Sequence, residues 1–338
     1  MNNLLERQQQ LGARFFEREG VMLARDFGDV RAEYAALRND AGIFHRADCG
    51  VLRVEGRDRA TWLHKLVTAN IQAMRVNDAV YGLLLNAKGH IVADFTARVQ
   101  SDSILLFTGK RAHQTLFANL RRAIFREKVS LTDASESFTI FSFQGPRAHE
   151  FQSLISNLQS LATHARQATT FDCLIPTEHA RATWDALIAQ GARPVGFDAI
   201  NSARVEDAIA WFGDDFDATM LAPEARLDPF IAEDKGCYTG QEVIARIKNR
   251  GHVNRVLVQL QLATDQLPNR GDKIFADEKE IGWITSAVWS FARNAPLAFG
   301  YTRREIATDG ARVQIVSGAD GLPAIIVAGE PPAATASV

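Results

Sequence analysis

The sequence predicts an α+β fold that closes with a small β-barrel, and three observations carry that reading. Short strand-like and helix-like stretches alternate up to residue 255 without the regular spacing of a doubly wound sheet. After Arg255 the text becomes a series of short alternating runs parted by turn residues, with almost no room for a helix. Between the two regions lies an unusual stretch, Asp234 to Arg255, in which two glycines bracket a cysteine and a tyrosine.

In chain order, Leu4, Leu5, Gln8, Leu11, Phe15 and Phe16 predict a docking helix within residues 1–20. Cys49 to Glu55 alternates like a strand and ends at the turn residue Gly56. Asp58 is placed to cap a helix over Arg59 to Val67, with Trp62, Leu63 and Leu66 inward. Tyr81 to Leu85 and Ile91 to Val99 read as strands joined by the Asn86-Ala87-Lys88-Gly89 turn, and Ile104 to Thr108 as a third strand. A basic helix follows over Ala112 to Lys128, with Leu116, Leu120, Ile124 and Phe125 on its apolar side. Phe138 to Phe143 and Phe171 to Ile175 are strands, Glu178 to Ala189 a helix, and another helix begins near Asp198. The barrel strands fall at Val256 to Leu262, Lys273 to Phe275, Gly282 to Ser286, Leu297 to Tyr301, Val313 to Val316 and Ala324 to Val327. This divides the chain into a region 1–255, a barrel 256–330 and a disordered tail 331–338 rich in Pro, Ala and Ser.

With 338 residues the chain has room for two or three domains and a substantial core. Its formal net charge of −2 gives no global attraction to nucleic acid or to an anionic membrane. Three widely spaced cysteines, Cys49, Cys173 and Cys237, argue against a disulfide framework and fit a reducing compartment. There is no C-x-x-C, no Cys/His cluster of metal spacing, no dinucleotide or phosphate loop and no long apolar run. The N-terminus lacks a signal-type apolar region, and Glu6, Glu17 and Glu19 speak against a transit peptide, so a cytoplasmic protein is expected.

The chemistry concentrates in Asp234-Lys235-Gly236-Cys237-Tyr238-Thr239-Gly240-Gln241-Glu242. Thr239 and Glu242 stand in capping-box relation, which predicts a helix whose apolar face carries Val243, Ile244 and Ile247. Cys237 is then expected just outside a helix N-terminus with Lys235 nearby, both of which favour a thiolate. A solitary cysteine is otherwise most often a small buried hydrophobe. The nonapeptide resembles the K-G-C-Y-x-G-Q-E signature of the YgfZ-type folate-binding proteins, relatives of the glycine-cleavage T-protein (aminomethyltransferase) that act in iron–sulfur enzyme maintenance. The resemblance runs along nearly the whole chain. Gly42-Ile43-Phe44 through Thr68-Ala69-Asn70-Ile71 is similar to the T-protein opening, and Gln144-Gly145-Pro146-Arg147-Ala148 to its Q-G-P-k-A turn. Ile281 to Ser286 and Leu297 to Tyr301 are similar to its late strands. It implies a three-lobed T-protein-like folate-binding fold, the lobes ringed around a central channel that holds tetrahydrofolate.

Arg204 and Glu206 lie about 200° apart around their helix, so they do not share one solvent face. Left to itself, Arg204 pairs with Asp207 and Glu206 is solvated. The resemblance to the family's R-x-E motif assigns Glu206 to the pterin ring, where a carboxylate accepts two parallel N–H bonds. Asp94 lies in a strand that can face either way. The T-protein has two aspartates there, one of them catalytic; here the first is Ala93, so Asp94 carries that role only if it is the functional one of the pair. Tyr238 either stacks on the pterin or packs, and Arg246, Lys248 and Arg250 either end a helix in solvent or meet the glutamate tail of folate. The basic run Arg121 to Lys128 is a weak nucleic-acid signal, sparse in aromatics.

The first functional expectation is a tetrahydrofolate-binding accessory protein for iron–sulfur cluster assembly or repair, with Cys237 as its reactive thiol. Such a role implies iron–sulfur proteins or assembly factors as partners. The second is a tetrahydrofolate-dependent aminomethyl or one-carbon transferase with Asp94 as acid/base group. The third is a non-catalytic interaction module with a vestigial folate cleft.

Overall fold

A computed structural model describes residues 3–157, 161–164, 170–318 and 320–327 of the chain, so the expected tail at 331–338 lies outside the described residues. Leu4 and Gln8 turn inward on the helix Asn3–Gln10. Gly12 follows in the left-handed region (φ +93°), so the helix ends well short of residue 20. Phe15 and Phe16 instead belong to an antiparallel hairpin, Arg14–Arg18 with Val21–Asp26, closed by the two-residue Glu19-Gly20 turn. The helix Val30–Asn39 comes next, capped by Asp29, whose carboxylate accepts the Ala32 N–H at 3.0 Å.

Two five-stranded sheets form the body. One has the order Ala79–Leu85, Ile91–Val99, Ser103–Gly109, Cys49–Glu55 and Ser130–Asp133, all antiparallel. Its helices Arg59–His64 and Lys110–Arg122 press Trp62, Leu63, Leu116 and Leu120 onto Leu52, Val54 and Leu106. The other runs Leu161–His164, Thr170–Pro176, Phe138–Gln144, Gly42–His45 and Arg193–Pro194. It is covered by the helices Asn3–Gln10 and Ala180–Ala189, with Phe141, Phe143, Phe171 and Ile175 against Leu4, Trp184 and Leu187. Each fully buried Leu or Phe of these layers contributes about 1.5–3 kcal/mol.

The C-terminal strands close a six-stranded barrel in the order Arg255–Leu262, Ala295–Arg303, Lys279–Ser290, Lys273–Ala276, Arg312–Ser317, Asp320–Val327. Alternate residues such as Leu260, Ile274, Ile284, Ile315 and Ile326 fill its inside, as the sequence pattern predicts. A further core joins the parts: Leu83, Leu85 and Ile91 of the first sheet meet Phe216, Tyr238 and Ile244 of the connecting segment and Leu297, Phe299 and Tyr301 of the barrel. Among the described residues no helix is long and apolar enough to cross a membrane.

Several expected boundaries move. The helix expected over Ala112 to Lys128 is Lys110–Arg122, and Phe125 stands in the following loop, facing water. Asp58 does not cap its helix; its carboxylate accepts the Lys128 N–H at 2.7 Å instead. The signature helix is Gln241–Arg250, but its N-cap is Gly240 in the left-handed conformation (φ +83°), with no side-chain cap from Thr239. A Cβ on Gly240 would stand 2.6 Å from the Asn86 carbonyl oxygen, so the helix enters hard against the Asn86–Gly89 turn. That turn is itself fixed by the Asn86 side chain, which accepts the N–H groups of Lys88 and His90. Gly240→Ala combines backbone strain with this clash. It is expected to cost about 2–3 kcal/mol and to lower Tm by roughly 5 °C in a thermal melt.

Candidate binding cavity between the two sheets

Strand parity decides what faces the space between the sheets. In Ile91–Val99 the residues Ala93 and Ala97 are fully buried in the helix-covered core, while Asp94 and Thr96 alternate to the other side. Asp94 therefore lines a cavity of about 1280 Å³, counted out to the solvent at its mouth, and Ala93 does not. The Tyr81 hydroxyl donates to one Asp94 oxygen at 2.8 Å and the Thr108 hydroxyl reaches the other at 3.5 Å, which orients the carboxylate.

The facing sheet contributes Phe44, Ser142 and Asp172, and the segment after it Arg46, Asp48 and Cys49. Burial would raise the Asp48 carboxyl, but the Arg46 guanidinium, with Nε 2.8 Å from Oδ1, holds it below the usual range. Burial dominates at Asp172 and pushes it up, opposed by Arg46 and by the Ser142 hydroxyl that donates to it. Burial likewise pushes the Cys49 thiol far up, so it faces the cavity as a neutral S–H.

The floor is built around Trp211. The Arg204 guanidinium lies 4.4 Å from its ring centroid, Arg46 5.5 Å and Arg18 6.0 Å. Arg204 is enclosed: it donates to Asp215 at 2.6 Å, to Ser286 at 2.9 Å and to Asn201 at 2.8 Å. Its partner is thus Asp215 and not Asp207, which Arg38 binds through both oxygens. At the rim, Arg111 donates to Asp214 at 2.8 Å and also to Glu19, and Arg18 to Asp214.

Of the seven residues singled out from the sequence, Asp94 and Arg204 line this cavity. Glu206, expected at the pterin, and Cys237, expected as the reactive thiol, do not line it. Glu206 is half-buried elsewhere with both oxygens occupied: Ser290 Oγ donates at 2.6 Å, the Ala292 N–H at 3.1 Å and Arg38 Nη2 at 2.8 Å, with the Tyr34 hydroxyl completing the set. Burial would raise this carboxyl, but those hydrogen bonds together hold it below its usual range. Cys237 is exposed, lies three residues ahead of the Gly240 cap and does not line the cavity. Lys235 turns into the protein, where its ammonium donates to the carbonyls of His64 (2.6 Å), Ala69 (3.0 Å) and Val67. Burial draws its pKa down to about 8, and the three carbonyls hold its proton in place. Tyr238 packs in the joining core with Lys235 5.1 Å from its ring centroid. Arg246 is exposed and pairs with Glu242 at 3.0 Å.

Sequence reasoning missed Arg46, Asp48, Asp172 and Tyr81 as cavity residues. One signal was present: Asp172 is a charge inside the apolar strand run Phe171 to Ile175. Among the described residues no group of three or more His, Cys, Asp or Glu is arranged to hold a metal ion.

Two sheet-and-helix lobes and a closed barrel, with a polar, aromatic-lined cavity between the sheets, define a T-protein architecture. The GCVT N-terminal domain family matches residues 4–172 and the glycine cleavage T-protein C-terminal barrel domain matches residues 255–331. The chain belongs to the glycine-cleavage T-protein family. It is 26% identical over 332 residues to an aminomethyltransferase of Herpetosiphon aurantiacus, covering 92% of each chain. It is 23% identical to that of Caldanaerobacter subterraneus subsp. tengcongensis, covering 96% of this chain and 93% of the relative. The crystal structure of the glycine cleavage system aminomethyltransferase T from Bartonella henselae shares the fold, with a TM-score of 0.87, 19% identity and 98% of each chain covered.

Two stability predictions follow from the buried groups. His45, on the strand Gly42–His45, has its pKa lowered to about 4 by burial, against the opposing charge of Asp48. The unfolded imidazole binds its proton near pH 6.5, so the contribution is complete above that value and is lost as pH falls from about 6.5 to about 4. Urea melts across this window should show a loss of about 3 kcal/mol that His45→Gln flattens. Lys235→Met leaves three carbonyls without their donor. It is expected to cost about 2–4 kcal/mol in the same melts, with ligand affinity at the cavity unchanged.

Proposed function

We propose that the cavity binds tetrahydrofolate and that the chain is a folate-dependent aminomethyl or one-carbon transferase. The observation that carries this reading is the side of the strand on which Asp94 stands. Of the aspartate pair expected in the family, the position kept here faces the cavity, oriented by Tyr81 and Thr108, and the position replaced by Ala93 faces the core. The relatives named above as aminomethyltransferases cover nearly the full chain, which supports the same reading.

The lining suits the ligand. Asp48, Asp94 and Asp172 offer acceptors for the N–H edge of a pterin, Tyr81, Trp211 and Phe212 offer flat apolar faces, and Lys110 and Arg111 offer cations for glutamate carboxylates. When bound, tetrahydrofolate supplies the ring and bridge nitrogens that carry the one-carbon unit. Asp94 holds or takes up a proton at its carboxylate there, while the Arg204–Trp211 floor and the Arg46–Asp48 pair keep the site dry and preorganised.

A second reading, a folate-binding accessory protein for iron–sulfur enzymes, is favoured by one observation. Cys237 is presented to solvent on a loop pinned by the Lys235 clamp and by Gly240, outside the cavity. There its thiol would meet a partner protein rather than the folate.

Calorimetric titration with tetrahydrofolate, paired with an assay of one-carbon transfer to it, separates the two. For a transferase, Asp94→Asn should bind within a few-fold of wild type yet lose transfer by about 10²–10⁴, and Cys237→Ala should be nearly silent. Binding without transfer, with a cellular defect in iron–sulfur enzymes for Cys237→Ala, selects the accessory role. Absence of tetrahydrofolate binding in the wild type ends both.

A further inference from the structure

The loop that follows the helix Lys110–Arg122 takes no part in the cavity, yet its backbone is tightly held. The Trp62 indole N–H donates to the Ala123 carbonyl at 3.1 Å. The Glu127 carboxylate accepts the N–H groups of Phe125 and Arg126 at 3.1 and 3.0 Å, and Asp58 accepts that of Lys128. These bonds leave the Phe125 side chain 84% exposed, more than any other large apolar side chain among the described residues. A rigid loop with its phenyl ring in water gains nothing from that ring in the isolated chain.

Cations crowd the same stretch of chain. Arg121 and Arg122 end the helix, Arg126 and Lys128 follow in the loop, all four exposed, and Lys65 at the end of the neighbouring helix acts on Glu127 by charge. Arg121 lies 6.0 Å from the Phe117 ring centroid, while the two nearby carboxylates, Glu127 and Asp58, already serve the backbone. The chain as a whole carries −2, so the positive charge is concentrated locally. Arg126 stacks 5.6 Å from the Phe125 ring centroid.

We infer that this loop is a docking surface for an acidic protein segment, with Phe125 as apolar anchor and the five cations as its collar. Aromatic and arginine side chains carry most of the energy at protein interfaces, and a preordered loop loses little entropy on binding. The collar selects acidic partners and speeds their encounter. Single-stranded nucleic acid fits less well, because it needs successive aromatic platforms and here there is one ring with two carboxylates set among the cations.

The test uses the full chain and fluorescence anisotropy with a labelled short peptide alternating Glu and Leu, its Gln-for-Glu counterpart and a single-stranded RNA of matched charge. The acidic peptide should bind best, and more weakly as salt rises. Phe125→Ser should weaken it by about tenfold, which is roughly 1.4 kcal/mol, and Arg121→Glu with Arg126→Glu should weaken it further, with Tm unchanged in both variants. Undiminished binding by either variant, no binding by the wild type, equal binding of the Gln peptide, or tighter binding of the RNA overturns the proposal.

Discussion

One enclosed ion pair holds the architecture in register. Arg204 and Asp215 expose almost nothing of their side chains, and Asp215 also accepts from the Trp211 N–H, Thr285 and Ser286. Helix Phe197–Glu206, the segment behind it and the barrel strand Lys279–Ser290 therefore meet at a single carboxylate. Two buried charges are worth little as a net gain but are costly to separate, because either one left alone is stranded without water. The pair thus acts as a locator: it admits one arrangement of lobe and barrel, and it sets Arg204 under Trp211 as the cavity floor.

Two carboxylates with the same chemistry serve opposite ends here. Glu206, two residues beyond Arg204, is saturated by donors from the helix Val30–Asn39 and from the 290–292 turn, and so joins elements together. Asp94 accepts from the Tyr81 and Thr108 hydroxyls and stays directed at the cavity. Which neighbours each carboxylate meets depends on the tertiary fold and not on its own stretch of sequence.

That dependence explains what could be read from the sequence. The barrel was legible because inward and outward residues alternate through all six strands, and the turn at Asn86–Gly89 because Asn and Gly there have local backbone reasons. The N-terminal hairpin was not, since Phe15 and Phe16 fit an apolar helical face as well as a strand and only Gly12 marks the break. The surroundings of Lys235 were hidden for a related reason: it was read as a neighbour of Cys237, and the three carbonyls that accept from it come from residues 64 to 69, far away in sequence. The cavity itself draws on both sheets and the segment after them, so no single stretch announces it, although Asp94 and Arg204 were found.

Closure of the barrel has a separate consequence. Arg255–Leu262 pairs with Ala295–Arg303 on one side and, over Gln259–Leu262, with Asp320–Val327 on the other, so among the described residues no strand of this unit is an open edge along its whole length. Val316 and Ile325, about two-fifths exposed on its outer wall, would be sticky on an open edge. On a ring without ends they have no template to recruit, and the C-terminal unit is shielded from edge-to-edge aggregation by topology instead of by charge.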